Sequence, residues 1–200
     1  LSALMLLEFL ELRYGEWVIH NAANGAVGKN LAILAADRGI KTISIVRRKD
    51  AVDELKKLGI ENVVSTDNED WQEQILAITG KQPITGAIDS IGGEASGELL
   101  SLLGTGGTIV AFSALSGEPM ALNSGQLLFK EAAAKGFWGT KTSVNMDIDR
   151  KRRLLNELIE RASSGKLHLP VEAIYDLSEV TKAVSKEVQS GKNGKVLLKL

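Results

Sequence analysis

Short apolar runs alternate with amphipathic segments along residues 17–112 of the chain. The apolar runs lie at residues 17–21, 41–46, 62–65, 86–90 and 108–112, and their continuous character is typical of strands buried on both faces. Segments with helical spacing separate them, at residues 26–38, 50–58, 70–79 and 94–103. Since parallel strands require crossover connections, the order βαβαβαβαβ predicts an α/β fold with a doubly wound parallel sheet.

The pattern changes after Pro119. A helix is predicted at residues 124–130, a strand at 132–138 and a strongly amphipathic helix at 150–163. Two further strands, at residues 171–177 and 195–200, flank a helix at 179–189. We therefore expect one domain over residues 1–170, followed by C-terminal segments over residues 171–200.

The first twelve residues are apolar except for Ser2, Glu8 and Glu11. No basic segment precedes this run and no small-residue cleavage site follows it, so it indicates an amphipathic helix rather than a signal peptide or a membrane span. Because the chain lacks an initiator methionine, we expect it to begin inside a longer protein.

A run of small residues follows the first predicted strand: Ala23, Asn24, Gly25, Ala26, Val27 and Gly28. It approximates the pattern G-x-G-x-x-G, in which backbone N–H groups at a strand-to-helix turn face a pyrophosphate. Ala23 takes the place of the first glycine, which weakens the match. Because the run follows a predicted strand and opens a predicted helix, it favours a Rossmann-type dinucleotide site over a plain turn.

A basic triplet, Arg47-Arg48-Lys49, ends the second predicted strand. This position reads the adenine ribose, where an acidic residue selects NAD and an arginine accommodates the 2′-phosphate of NADP. The triplet therefore predicts NADP(H), with a solvated basic turn as the alternative. Asp50 is an alternative ribose acceptor, although we expect it to cap the following helix.

The composition limits the other functions open to this chain. Its 24 basic and 25 acidic residues give a formal charge of −1, so we expect no nucleic acid and no anionic membrane as partners. It has no cysteine and only two histidines, so no metal site is predicted. The lack of cysteine and of a targeting segment indicates the cytoplasm, with an organelle left open by the truncated start.

Six segments, in this order, resemble the cofactor domain of medium-chain dehydrogenases/reductases. They are NAANGAVG at 21–28, VRR at 46–48, DSIGG at 89–93, GGTIV at 106–110, LFK at 128–130 and KGFWG at 135–139. Within that superfamily the sequence is most similar to zinc-independent, NADPH-dependent 2-enoyl thioester reductases of the mitochondrial type, and next to quinone oxidoreductases.

The resemblance implies a set of cofactor-binding residues. Asn24, Gly25, Ala26 and Val27 would lie along the pyrophosphate, and Arg47, Arg48 and Lys49 around the 2′-phosphate. The nicotinamide end would be formed by Phe112, Ser113, Ala114 and Leu115 together with Phe137, Trp138 and Gly139, and Lys195 would return to the cofactor. For Trp138, packing in the core is the alternative.

The resemblance also implies hydride transfer from NADPH to an enoyl thioester, or to a quinone, in a cleft shared with a preceding barrel-like catalytic domain. That domain is absent from the sequence, so we assign no catalytic residue. The two C-terminal strands would belong with it and are expected to be poorly paired alone. A homodimer through the edge strand at residues 132–138 is expected, and an NADPH-binding or dimerisation module without turnover is the alternative of a different class.

Overall fold

A six-stranded parallel sheet with helices on both faces forms the main body of the molecule. The structure, a computed structural model, describes residues 1–167, 170–188 and 194–200. The sheet strands are β1 (Trp17–His20), β2 (Lys41–Val46), β3 (Val63–Ser65), β4 (Ile84–Asp89), β5 (Leu103–Ala111) and β6 (Ala133–Gly136), in the order β3-β2-β1-β4-β5-β6. This is the strand order of the Rossmann fold, and the predicted fold class is confirmed.

The helices fall close to their predicted positions. They are α1 (Ser2–Phe9), α2 (Ala26–Asp37), α3 (Asp50–Lys56), α4 (Trp71–Thr79), α5 (Glu94–Leu102), α6 (Ser124–Phe129), α7 (Gly139–Asn145), α8 (Ile148–Ser163) and α9 (Val180–Glu187). The sequence did not predict α7 or the short 3-10 turn at Leu177–Glu179. The predicted end of the helix at residue 189 lies outside the described residues, as does His168.

Alternate residues of the central strands enter two separate cores. Val18, Ile88 and Val110 pack with α1, α2 and α8 on one face. Ile19 and Ile109 pack with α4 and α5 on the other. Burial on both faces explains why these strands are apolar at nearly every position.

Charged groups tie α1 to α8. The Glu8 carboxylate accepts hydrogen bonds from Arg150 Nε and Arg153 Nη2, both at 2.7 Å. Arg38, the C-cap residue of α2, binds Glu157 of α8 at 2.8 Å. The basic run at residues 150–153 is therefore more than a solvated helix face, because two of its arginines hold α1 in place.

The C-terminal strands form a second, two-stranded sheet. Strand β7 (Val171–Asp176) pairs in parallel with β8 (Lys195–Lys199), and α9 packs against both. The expectation that these segments would be poorly paired is therefore wrong, because their backbones pair with each other. None of the helices in the described ranges is both long and apolar enough to cross a membrane.

Candidate functional site

A cavity of about 540 Å³ opens at the carboxyl edge of the sheet, where β1 and β4 lie side by side but their crossovers run in opposite directions. Open α/β sheets bind ligands at such a switch point. Three segments contribute most of the lining: the turn after β1, the end of β2 and the N-terminal half of α5. The lining residues are Asn21, Ala22, Asn24, Ile45, Val46, Arg47, Arg48, Thr66, Trp71, Ile91, Ala95, Glu98, Leu99, Leu115 and Ser116.

The turn after β1 has the tight geometry that a pyrophosphate site requires. A Cβ on Gly28 would lie 2.7 Å from both the Cα and the carbonyl oxygen of Ala23, so only glycine fits there. Gly25 is the N-cap residue of α2, and no described side chain caps this helix. The amides of Ala26 and Val27 therefore open a helix whose positive end faces the cavity edge at Asn24.

A buried hydrogen-bond cluster holds this turn against the end of β4. Asn21 Nδ2 donates to Asp89 Oδ1 at 2.6 Å, and Asn21 Oδ1 accepts from the Ser90 amide at 2.7 Å. Asp89 is 1% exposed, and it also accepts from the amides of Ile91 and Gly92 and from the Ser96 hydroxyl. Sequence reasoning missed this cluster, although the DSIGG segment contains its acceptor.

The two arginines predicted from the basic triplet both line the cavity. The buried Ser65 hydroxyl donates to the Arg47 carbonyl at 2.6 Å and so fixes the backbone beside it. Arg48 Nε lies 3.2 Å from Asp50 Oδ1. Lys49 is exposed, does not line the cavity, and is the N-cap residue of α3, so the prediction that Asp50 caps this helix is wrong.

The segment after β5 forms a second wall. Hydrogen bonds join it to the end of β4 and to the loop that follows, from Phe112 N to Asp89 O at 2.8 Å and from Leu115 N to Ser90 O at 3.1 Å. Leu115 lines the cavity, and the neighbouring Ser113 and Ala114 are exposed. Phe112 turns instead towards the core.

The other predicted nicotinamide residues lie outside the cavity lining. Phe137 is buried and packs its ring edge-on against Phe9, with the centroids 5.3 Å apart, and it also contacts Phe112. Trp138 is 69% exposed, so core packing does not explain it. Gly139 is the first residue of α7, and Lys195 begins β8, where its Nζ lies 3.3 Å from Glu187 Oε1.

His20 is a structural neighbour of the site. Its Nε2 lies 2.9 Å from Ser44 Oγ on β2, and its side chain is buried. Burial lowers the pKa of His20 to about 4, so the imidazole is neutral at physiological pH. This placement agrees with a structural rather than a catalytic role.

Comparison with known proteins identifies the family. Residues 26–158 match the sequence model described as zinc-binding dehydrogenase. The chain belongs to this family. The matched region begins at α2 and includes 12 of the 15 residues that line the cavity; Asn21, Ala22 and Asn24 lie before it.

The names of the individual relatives fall into two activities, enoyl reductase and quinone oxidoreductase. The chain is 31% identical to the mitochondrial enoyl-[acyl-carrier-protein] reductase of Dictyostelium discoideum, over 98% of this chain and 57% of that protein. It is 30% identical to the NADPH quinone oxidoreductase of Kluyveromyces marxianus, over 81% of this chain and 45% of that one. The chain thus spans about half the length of these curated relatives.

A solved structure confirms the fold. The Etr1p complex with NADP and crotonyl-CoA superposes with a TM-score of 0.83 at 24% identity, covering all of this chain and 58% of that one. The family description names zinc, but among the described residues no group of three or more His, Cys, Asp or Glu side chains could hold a metal ion.

Proposed function

We propose that this chain is the NADPH-binding part of an oxidoreductase that reduces the C=C bond of 2-enoyl thioesters. One observation carries the proposal: the phosphate turn at Asn24 and the pair Arg47 and Arg48 line the same cavity at the switch point of the sheet. The enoyl reductase name of the Dictyostelium relative, and the NADP and crotonyl-CoA in the Etr1p complex, support the cofactor and the substrate class.

The residues of this chain would bind and orient the cofactor. When bound, NADPH supplies the hydride for the β-carbon of the substrate. The amides at Asn24, Ala26 and Val27 would hold the pyrophosphate beside Gly25, whose own amide donates to the Ala22 carbonyl at 3.0 Å. The guanidinium groups of Arg47 and Arg48 would bind the 2′-phosphate in bidentate fashion, with Lys49 nearby. The segments at residues 112–115 and 137–139, with Lys195, would support the nicotinamide end.

Cofactor titration tests the proposal directly. Calorimetry on the full chain should show NADPH binding at least tenfold tighter than NADH, because each charge-assisted hydrogen bond to phosphate contributes about 1.5–3 kcal/mol. The double variant Arg47→Ala, Arg48→Ala should lose at least tenfold in NADPH affinity and keep its NADH affinity within about twofold.

The control is the double variant Lys56→Ala, Lys57→Ala. It removes two exposed charges at the C-terminal end of α3, and neither residue lines the cavity. It should bind NADPH like the unmodified chain. Loss of affinity in the control alone, or no effect in the arginine variant, would show that the 2′-phosphate is not bound where we place it.

A quinone is the second candidate substrate, because the Kluyveromyces relative is named as a quinone oxidoreductase. Both activities would use the same cofactor cavity, so substrate specificity has to be measured on the full-length protein. NADPH oxidation with a crotonyl thioester supports enoyl reduction, and oxidation with a benzoquinone alone supports the second candidate. NADPH binding with neither turnover would indicate a binding module.

We further propose that the protein forms a homodimer through β6. This strand pairs with β5 on one side, and Ala134, Lys135 and Gly136 are exposed. An exposed edge strand can pair with a second copy across a twofold axis. Analytical ultracentrifugation should show a dimer for the full chain and a monomer for Ala134→Pro, in which an edge donor is removed.

For the compartment we propose the cytoplasm, from the cysteine-free composition. The Dictyostelium relative is named as mitochondrial, which makes that organelle the alternative. Imaging of the full-length protein fused to a fluorescent reporter distinguishes the two locations.

A further inference from the structure

The cavity at the switch point has two chemically different ends. Arg47 and Arg48 follow β2 and make that end cationic, whereas Ile91, Ala95 and Leu99 follow β4, two strands away in the sheet, and make that end apolar. Glu98 is the single carboxylate among the described residues that line it. A ligand that fits this arrangement carries an anionic group, an apolar part and a hydrogen-bond donor.

Helix α5 holds Glu98 at the apolar end. Ala95, Glu98 and Leu99 lie on one face of the helix, since residues three and four apart are neighbours. Leu99 is fully buried beneath this face, and the Ser96 hydroxyl is bonded to Asp89. The helix is also pressed against the loop after β5, because a Cβ on Gly97 would lie 2.6 Å from the Ala121 carbonyl oxygen.

The electrostatics of Glu98 favour a donor from a ligand. Partial desolvation, with a smaller contribution from Glu94, raises the pKa of its carboxyl group, although much of the residue is exposed. Within the described part of the chain no cation forms an ion pair with it, and Arg48 pairs with Asp50 instead. A donor N–H that entered the cavity would stabilise the ionised carboxylate.

The adenine of NADPH supplies this donor. Its base is attached to the ribose that carries the 2′-phosphate, so a phosphate on Arg47 and Arg48 brings the base, and not the distant nicotinamide, to the apolar end. Building on the proposed function, we infer that Glu98 accepts a hydrogen bond from the exocyclic amino group of adenine and makes the site selective for adenine dinucleotides. A base with a keto oxygen at that position would place an acceptor against the carboxylate, and its nearest donor would be shifted to the ring N1.

The test compares NADPH with its hypoxanthine analogue, in which an oxygen replaces the amino group. The unmodified full chain should bind NADPH at least tenfold more tightly than the analogue. Glu98→Ala should weaken NADPH binding and bring the two affinities within about twofold. Glu98→Gln should also bind both alike, because an amide can accept from the amino group and donate to the keto group.

The matched control is Glu94→Ala, which removes a carboxylate one helical turn earlier that does not line the cavity. It should keep the full preference for NADPH. If NADPH binds tightly and Glu98→Ala retains the preference, the inference is wrong and the proposed function stands. If the unmodified chain binds neither dinucleotide, the proposed function and the inference both fail.

Discussion

Acidification from pH 7 to pH 5 should destabilise the fold through His20. This side chain lies in the central strand, 2% exposed and 2.9 Å from the Ser44 hydroxyl. Burial lowers its pKa from 6.5 to about 4 in the folded state. In the unfolded chain this imidazole is therefore protonated below about pH 6.5. In the folded chain it stays neutral until the pH falls to about 4.

The size of the effect follows from the two pKa values. Because the unfolded state binds more protons between them, the free energy of unfolding falls as the pH falls through this window. The gap between 6.5 and about 4, at about 1.4 kcal/mol for each pH unit, corresponds to about 3 kcal/mol. Of this, about 2 kcal/mol is lost between pH 7 and pH 5. The lowered pKa of Glu8 acts below its ordinary value of 4.5 and so outside this range.

Urea denaturation of the full chain at pH 7, 6 and 5 measures the effect. His20→Gln keeps a group that can bond to Ser44 but does not titrate, so its stability should change much less with pH. His168→Gln, which removes the other histidine of the chain, gives the background. Equal pH dependence in the unmodified chain and in His20→Gln would refute the reasoning.

Three further substitutions test contacts described above. Gly28→Ala forces a Cβ to within 2.7 Å of the Ala23 backbone. We expect the free energy of unfolding to fall by about 1–3 kcal/mol in urea denaturation, and NADPH to bind at least tenfold more weakly by calorimetry. The control Gly136→Ala, where the space is open, should change neither value. Lys130→Met removes three hydrogen bonds of 2.7–3.1 Å from the ammonium group to carbonyls at the end of α5. The midpoint of urea denaturation should fall by the equivalent of about 1–3 kcal/mol, and an unchanged midpoint would contradict the capping role. Glu8→Gln should lower the free energy of unfolding by about 1–2 kcal/mol at low salt, because it weakens the bonds to two arginines of α8. A loss of stability that stays the same at high salt would contradict the ionic contribution.

The sequence predicted the sheet because burial on both faces leaves a strong local signal. Strand β2 lies at its predicted position, Lys41–Val46, since each residue after Lys41 is buried. Helix α7 was missed because its residues GTKTSVN have low helix propensity and no apolar stripe. The start of β5 was also missed. The strand begins at Leu103, and the glycines among residues 104–107 lack the apolar side chains that indicate a buried strand.

The site was predictable only where its residues are neighbours in the chain. The phosphate turn and the pair Arg47 and Arg48 form local motifs with a known spacing. Asn21 and Asp89 lie 68 residues apart and meet through the pairing of β1 with β4. Glu98 is one of many surface glutamates in the sequence, and only the placement of α5 brings it to the cavity.

Asp89 has a consequence for how the site can move. Its carboxylate bonds to the residue that begins the phosphate turn and to the loop that follows β4, while its carbonyl holds the first residue after β5. Three segments from distant parts of the chain therefore share one buried anchor. We expect any motion of the cleft to carry the three segments together, because separating them would break hydrogen bonds to a carboxylate that is 1% exposed.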